Sequence, residues 1–208
     1  MKSLIHIIHP VIYAYEGETL CISAKPTPLM VKVGEFLAQM NADILHHRNT
    51  RPDTFDGMSI DLALDLEVFS LINNAPYVVT TRYGNPIPDT RPKEVKPQDW
   101  KYISKVFTKH SQLEEHVKPY NHHIFLGGAF EACLTNTVGY IHEFFRTPDM
   151  KFTIIDDLSR TFDEEKRKIS ELKLLERGIE ITSSEEILSR YEISCTKEVH
   201  LNTTEIRT

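Results

Sequence analysis

His122-His123-Ile124-Phe125-Leu126-Gly127-Gly128-Ala129-Phe130-Glu131-Ala132-Cys133-Leu134-Thr135-Asn136-Thr137-Val138 reads as a buried strand, a glycine turn and the start of a helix. Ile124, Phe125 and Leu126 form a short apolar run with strand propensity, and Gly127-Gly128 then lets the backbone turn without a Cβ clash. From Ala132 the period changes: Leu134, Thr137, Val138, Ile141 and Phe145 recur at helical spacing. Cys133 is therefore expected in the first helical turn after the carboxyl end of a strand. Unpaired amides and the helix dipole there are expected to stabilise a thiolate and lower the cysteine pKa. The competing reading of the same residue is a small buried apolar side chain.

Outward from this stretch, the same alternation continues in both directions. Ser3 to His9 is a mostly apolar run interrupted by His6 and closed by Pro10, the type of strand that is covered on both faces of a parallel sheet. Val11 to Pro28 is expected as a loop, Pro28 to Asn41 as an amphipathic helix and Ala42 to His47 as the next strand. This strand, helix, strand order makes sheets parallel. Arg48 to Gly57 is a loop at a carboxyl strand end, and Ser59 to Asn73 reads as a helix. Tyr77 to Arg82 is strand-like with no assignable neighbour, and Gly84 to Pro97, with four prolines, is irregular. Tyr102 to Lys105 is a short strand and Ser111 to Lys118 a short helix. Beyond the central stretch come a strand at Lys151 to Asp156, a helix at Asp163 to Arg177 stopped by Gly178, a strand at Ile179 to Thr182 and a helix at Ser184 to Tyr191.

The chain has 208 residues with 40% apolar content, enough for one core, and a single domain over residues 1–191 is expected, followed by a polar tail or oligomerisation arm over 192–208. The net charge is −6, and the 24 Lys and Arg are scattered, which argues against a nucleic-acid partner. Three cysteines, Cys21, Cys133 and Cys195, form no disulfide framework and point to a reducing, cytoplasmic setting. No apolar segment approaches the ~20 residues needed to cross a bilayer, so no membrane partner is expected. The fold expected is a three-layer α/β/α sandwich, Rossmann-like, with a parallel sheet of about six strands and a site at their carboxyl ends.

The order of motifs from Lys96 to Leu188 resembles the isochorismatase-like cysteine hydrolases. Gly127-Gly128-Ala129-Phe130-Glu131-Ala132-Cys133-Leu134, then Thr137, is similar to that family's G-V-x-T-D-x-C-V-x-x-T motif, with Phe130 and Glu131 in place of its threonine and aspartate. Phe152 to Asp157 resembles its V-x-V-x-x-D-A strand, and Ile179 to Leu188 its closing strand and helix. The resemblance implies a 3-2-1-4-5-6 strand order, Cys133 as nucleophile and Lys105 as the assisting lysine, with Lys109 as the fallback. It implies substrate contact around Gly128, Phe130 and Ala132, with the amides of Ala132 and Cys133 as an oxyanion hole.

The family's aspartate base at the end of the first strand is absent: the strand ends Ile7-Ile8-His9-Pro10, and His9 falls at or beside that position. A histidine there either serves as base or is a satisfied core residue in a chain that has lost the reaction. In the region of the family's metal ligands stand His46 and His47, which point to opposite faces of a strand and make a poor ligand pair. No metal and no cofactor are expected. Two functions follow from the resemblance: cysteine-nucleophile hydrolysis of a small amide-like or vinyl-ether substrate, or an inactive relative that binds a small molecule or protein. It also implies a homo-oligomer.

Overall fold

The computed structural model describes residues 2–8, 13–16, 19–22, 28–40, 42–49, 77–80, 106–107 and 109–191. The first strand, β1 (Ser3–Ile8), is buried at all six positions, as is β7 (His122–Gly127). They lie side by side and parallel, with Ile8 opposite Gly127. A strand buried on both faces has no polar side to alternate, which is why both read as nearly continuous apolar runs.

On the other side of β1 lies β4 (Asp43–Asn49), reached through α1 (Pro28–Gln39), then β5 (Tyr77–Thr80) and β6 (Val106–Phe107). On the far side of β7 lie β8 (Lys151–Ile155) and β9 (Glu180–Thr182). The sheet is seven-stranded, in the order β6-β5-β4-β1-β7-β8-β9, and every pairing in it is parallel. This is the expected α/β architecture with one strand added at an edge. The strand expected at Tyr102 to Lys105 falls outside the described residues, and the pairing with β5 is made by Val106 and Phe107. Tyr77–Thr80 finds its place beside β4.

The loop expected from Val11 to Pro28 is corrected: β2 (Tyr13–Glu16) and β3 (Thr19–Ile22) pair antiparallel. Gly17-Glu18 between two runs with aromatic and β-branched residues is a hairpin signal of the glycine-first kind. The helix expected at Ser59 to Asn73 and the tail 192–208 lie outside the described residues.

Two apolar layers clamp the sheet. Ile5 and Ile7 project to one side, where Val33, Phe36 and Leu37 of α1 and Ile187 of α5 (184–191) pack on them. Leu4 and Ile8 project to the other, beneath α2 (His110–Val117) and α3 (Thr135–Phe145), with Leu174 of α4 (Glu164–Glu176) in the same cluster. His6 sits in this second layer, fully buried, with Phe125 stacked on its ring at 4.3 Å. Its Nε2 lies 3.0 Å from Nδ1 of His123, its Nδ1 lies 2.9 Å from Nε2 of His47, and Nε2 of His123 lies 3.2 Å from the Tyr120 carbonyl. A carbonyl can only accept, so His123 donates from Nε2 and accepts at Nδ1 from His6, which in turn accepts from His47. Burial holds His6 well below the usual histidine range, with the neighbouring His47, His123 and His116 adding to it, and burial lowers His123 to about 4. The three imidazoles thus form one directed chain across β4, β1 and β7. Among the described residues, no helix is long and apolar enough to cross a membrane.

Candidate active site

The chain winds outward from β1 in one direction and from β7 in the other, so the sheet's switch point lies between the carboxyl ends of these two strands. Clefts form there because the helices that follow go to opposite faces. At this point the backbone passes through two left-handed residues, Gly127 at φ 82° and Gly128 at φ 63°. A Cβ on Gly127 would come within 2.6 Å of the Ile8 carbonyl oxygen, and one on Gly128 within 2.7 Å of Cys133 Sγ. Both conformation and space therefore demand glycine, and at Gly128 the space in question is occupied by the thiol.

Cys133 lies in a π-helical turn, Phe130–Leu134, that precedes α3. Its turn is closed by Leu134 N–H donating to the Ala129 carbonyl at 3.1 Å, and the hydroxyl of Thr135 also donates to the Phe130 carbonyl. The wider turn brings Sγ back over the loop, where it accepts from Ala129 N–H at 3.2 Å. Burial pushes the Cys133 thiol above its ordinary value, while hydrogen bonds from the amides of Ala129, Leu134 and Cys133 and the positive charge of Arg160 pull it down without reversing the shift. The expected lowering is therefore corrected. The amides are in place, but the thiol rests against the apolar cluster beneath α3, and loss of water outweighs them.

The other candidates divide. Gly128 is under the thiol, as described. Ala132 is exposed, but its amide already donates to the Ala129 carbonyl at 3.1 Å, which removes it from an oxyanion hole in this state. Phe130 has no exposed surface and sits under the Arg167 guanidinium, 4.9 Å from its ring centre, so it acts on a ligand through loop position rather than contact. Lys109, the fallback lysine, is exposed at the N-cap of α2, where its N–H donates to Gln112 Oε1. His9 and Lys105 lie outside the described residues. Among the described residues no group of three or more His, Cys, Asp or Glu is arranged to hold a metal ion.

Arg160, which the motif reading passed over, and Glu131, which it noted only as a departure from the motif, are part of the construction. Arg160 N–H donates to the Gly128 carbonyl at 3.0 Å and its carbonyl accepts from Phe130 N–H at 2.6 Å, so the loop after β8 is laced to the cysteine loop. Its cation is thereby held in the field of the thiol. Glu131 Oε1 accepts from the amides of Phe162 at 2.8 Å and Asp163 at 3.1 Å, just ahead of α4. Asp163 then caps α4 by accepting from Lys166 N–H, and Asp156 pairs with Arg167 at 2.6 Å. The signal for Arg160 was its position: a basic residue a few places past a carboxyl strand end, on the side of the sheet where sites form.

Comparison with protein-family models gives no match, and none of the curated proteins matches either. Solved structures do match. An isochorismatase-like hydrolase from Alkaliphilus metalliredigens superposes with a TM-score of 0.52 at 12% identity, covering 92% of this chain and 99% of that one. A nicotinamidase from Bacillus subtilis superposes at 0.54 and 11% identity, over 88% of this chain and 100% of that one. An octameric hydrolase of unknown specificity from Escherichia coli does so at 0.50 and 13%, over 88% and 75%. At these identities the likeness is one of fold, and the fold is that of the isochorismatase-like hydrolases.

Proposed function

We propose that this chain is a divergent isochorismatase-like hydrolase that uses Cys133 as the nucleophile on a small amide. The observation that carries the reading is the seat of the thiol: on a glycine at the switch point of the sheet, faced by backbone amides, with Arg160 in its field. In this reading the thiol proton passes to a base as Sγ attacks the amide carbonyl carbon. The tetrahedral adduct collapses as the base returns that proton to the leaving nitrogen, which departs as ammonia or amine, and water then cleaves the thioester to release the acid and restore the thiol. Because burial favours the protonated thiol, attack calls for a base, and that role is assigned to His9, the residue that follows β1 in the sequence. Lys105 is assigned the role of holding negative charge at the reacting centre. The family's vinyl-ether substrates are the alternative chemistry, and nicotinamide, the substrate class of a structural neighbour, belongs in the first panel tried. The octameric neighbour supports self-association as part of the same reading.

The test is ammonia release from a panel of small amides by wild type and Cys133→Ala. Turnover of at least one amide, falling by roughly 10³-fold or more in the variant, is expected. Binding of panel members without turnover by wild type would overturn the catalytic reading in favour of a binding module, a reading favoured by the raised thiol and the missing aspartate.

A further inference from the structure

Helix α4 buries only Leu174 among its apolar residues, leaving Ile169 at 53%, Leu172 at 62% and Leu175 at 49% exposure. At 100° per residue these three, with exposed Glu165, Lys168 and Glu176, fall within about 60° either side of Leu172. The face is therefore an ordered stripe directly opposite the buried anchor. Its sequence has a symmetry: counted from Leu172, Ile169 and Leu175 stand three residues before and after, and Lys168 and Glu176 four residues before and after. In an antiparallel pairing of two such helices crossing at Leu172, Leu172 meets its own copy. Ile169 then meets Leu175, and Lys168 meets Glu176, each contact occurring twice.

We propose that two copies of this chain associate through α4, antiparallel about a two-fold axis at Leu172. This gives a surface to the self-association included in the reading above. The stripe offers roughly 300 Å² of apolar side chain, at the lower end of the largest apolar patch that a single protein carries. A stable pair needs about 800 Å² per partner. The remainder would come from the polar surface around the stripe and from its flank, where exposed Phe144 of α3 borders a groove whose α4 wall includes Lys173. Charge sets the orientation, since a parallel pairing in register would place Lys168 against Lys168 and Glu176 against Glu176.

Sedimentation equilibrium tests the proposal. Wild type is expected as a multiple of the 24.0 kDa chain. Leu172→Glu places two like charges on the axis and is expected to raise the dissociation constant of this contact about 100-fold or more, while its exposed site leaves the folded chain intact. Lys168→Glu and Glu176→Lys are each expected to weaken the pair about five-fold or more, and the combined variant to recover to within about three-fold of wild type. A monomeric wild type overturns self-association itself. An oligomer whose mass is unchanged by Leu172→Glu, or charge variants whose effects do not cancel, overturns this surface while leaving self-association standing.

Discussion

At the scale of the residue, the Cys133 thiol stands between two opposing effects. Removal from water raises its pKa, and the amides of Ala129, Leu134 and Cys133 with the charge of Arg160 lower it. Because the first prevails, alkylation of the free protein by iodoacetamide should be slow near neutrality, with its rate still rising above pH 9.0. Arg160→Gln removes the positive charge that favours the thiolate and should carry the profile to still higher pH. A rate that saturates below about pH 8 would contradict this balance. The place of Cys133 in the fold was legible from sequence, because Gly127-Gly128 followed by a change of period marks a turn at a strand end. Its ionisation was not, because the depth of the apolar cluster under α3 is a tertiary property that no local pattern encodes. Nor could a motif show that Ala132 spends its amide on the Ala129 carbonyl, which depends on the wider π turn.

At the scale of the element, Glu131 converts a departure from the family motif into a structural tie. Its carboxylate joins the cysteine turn to the amides that lead into α4, and the loop so fixed carries Arg160. Glu131→Ala is expected to lower stability by about 1 kcal/mol, read as a shift of the urea midpoint at unchanged slope. Glu131→Gln, which keeps one acceptor oxygen, should lose less; equal losses in the two would argue that the oxygen is not what matters. The long strands and helices were readable because a two-sided burial or an amphipathic period leaves its mark over six or more residues. The hairpin β2 and β3 and the two-residue β6 were missed because strands this short carry little period, whereas the equally short β5 and β9 were read from their β-branched and aromatic residues. His6 read as an interruption of β1, whereas in the sheet its partners come from His47, 41 residues on, and His123, 117 residues on.

At the scale of the whole molecule, the chain of histidines across β4, β1 and β7 ties stability to acidity. Burial favours the neutral forms of His6 and His123 in this chain, and of His122, which pairs with Thr153 outside it; His122 and His123 are lowered to about 4. The unfolded chain takes up protons from about pH 6.5 downward, where the folded protein does not. Stability is therefore complete above about pH 6.5 and declines toward pH 4, each of these histidines adding a slope approaching 1.4 kcal/mol per pH unit. Urea unfolding followed between pH 7 and pH 4.5 should show that decline before most carboxylates titrate, and a flat profile would contradict the neutral chain. The same sheet presents its switch point to the cysteine loop, where the proposed chemistry runs through sulfur. Intact-protein mass spectrometry after acid quench of the protein with a hydrolysed amide tests it most directly. Wild type should carry the acyl mass on Cys133, discharged by hydroxylamine, and Cys133→Ala should carry none. Undiminished hydrolysis by Cys133→Ala, with no adduct on wild type, would contradict it.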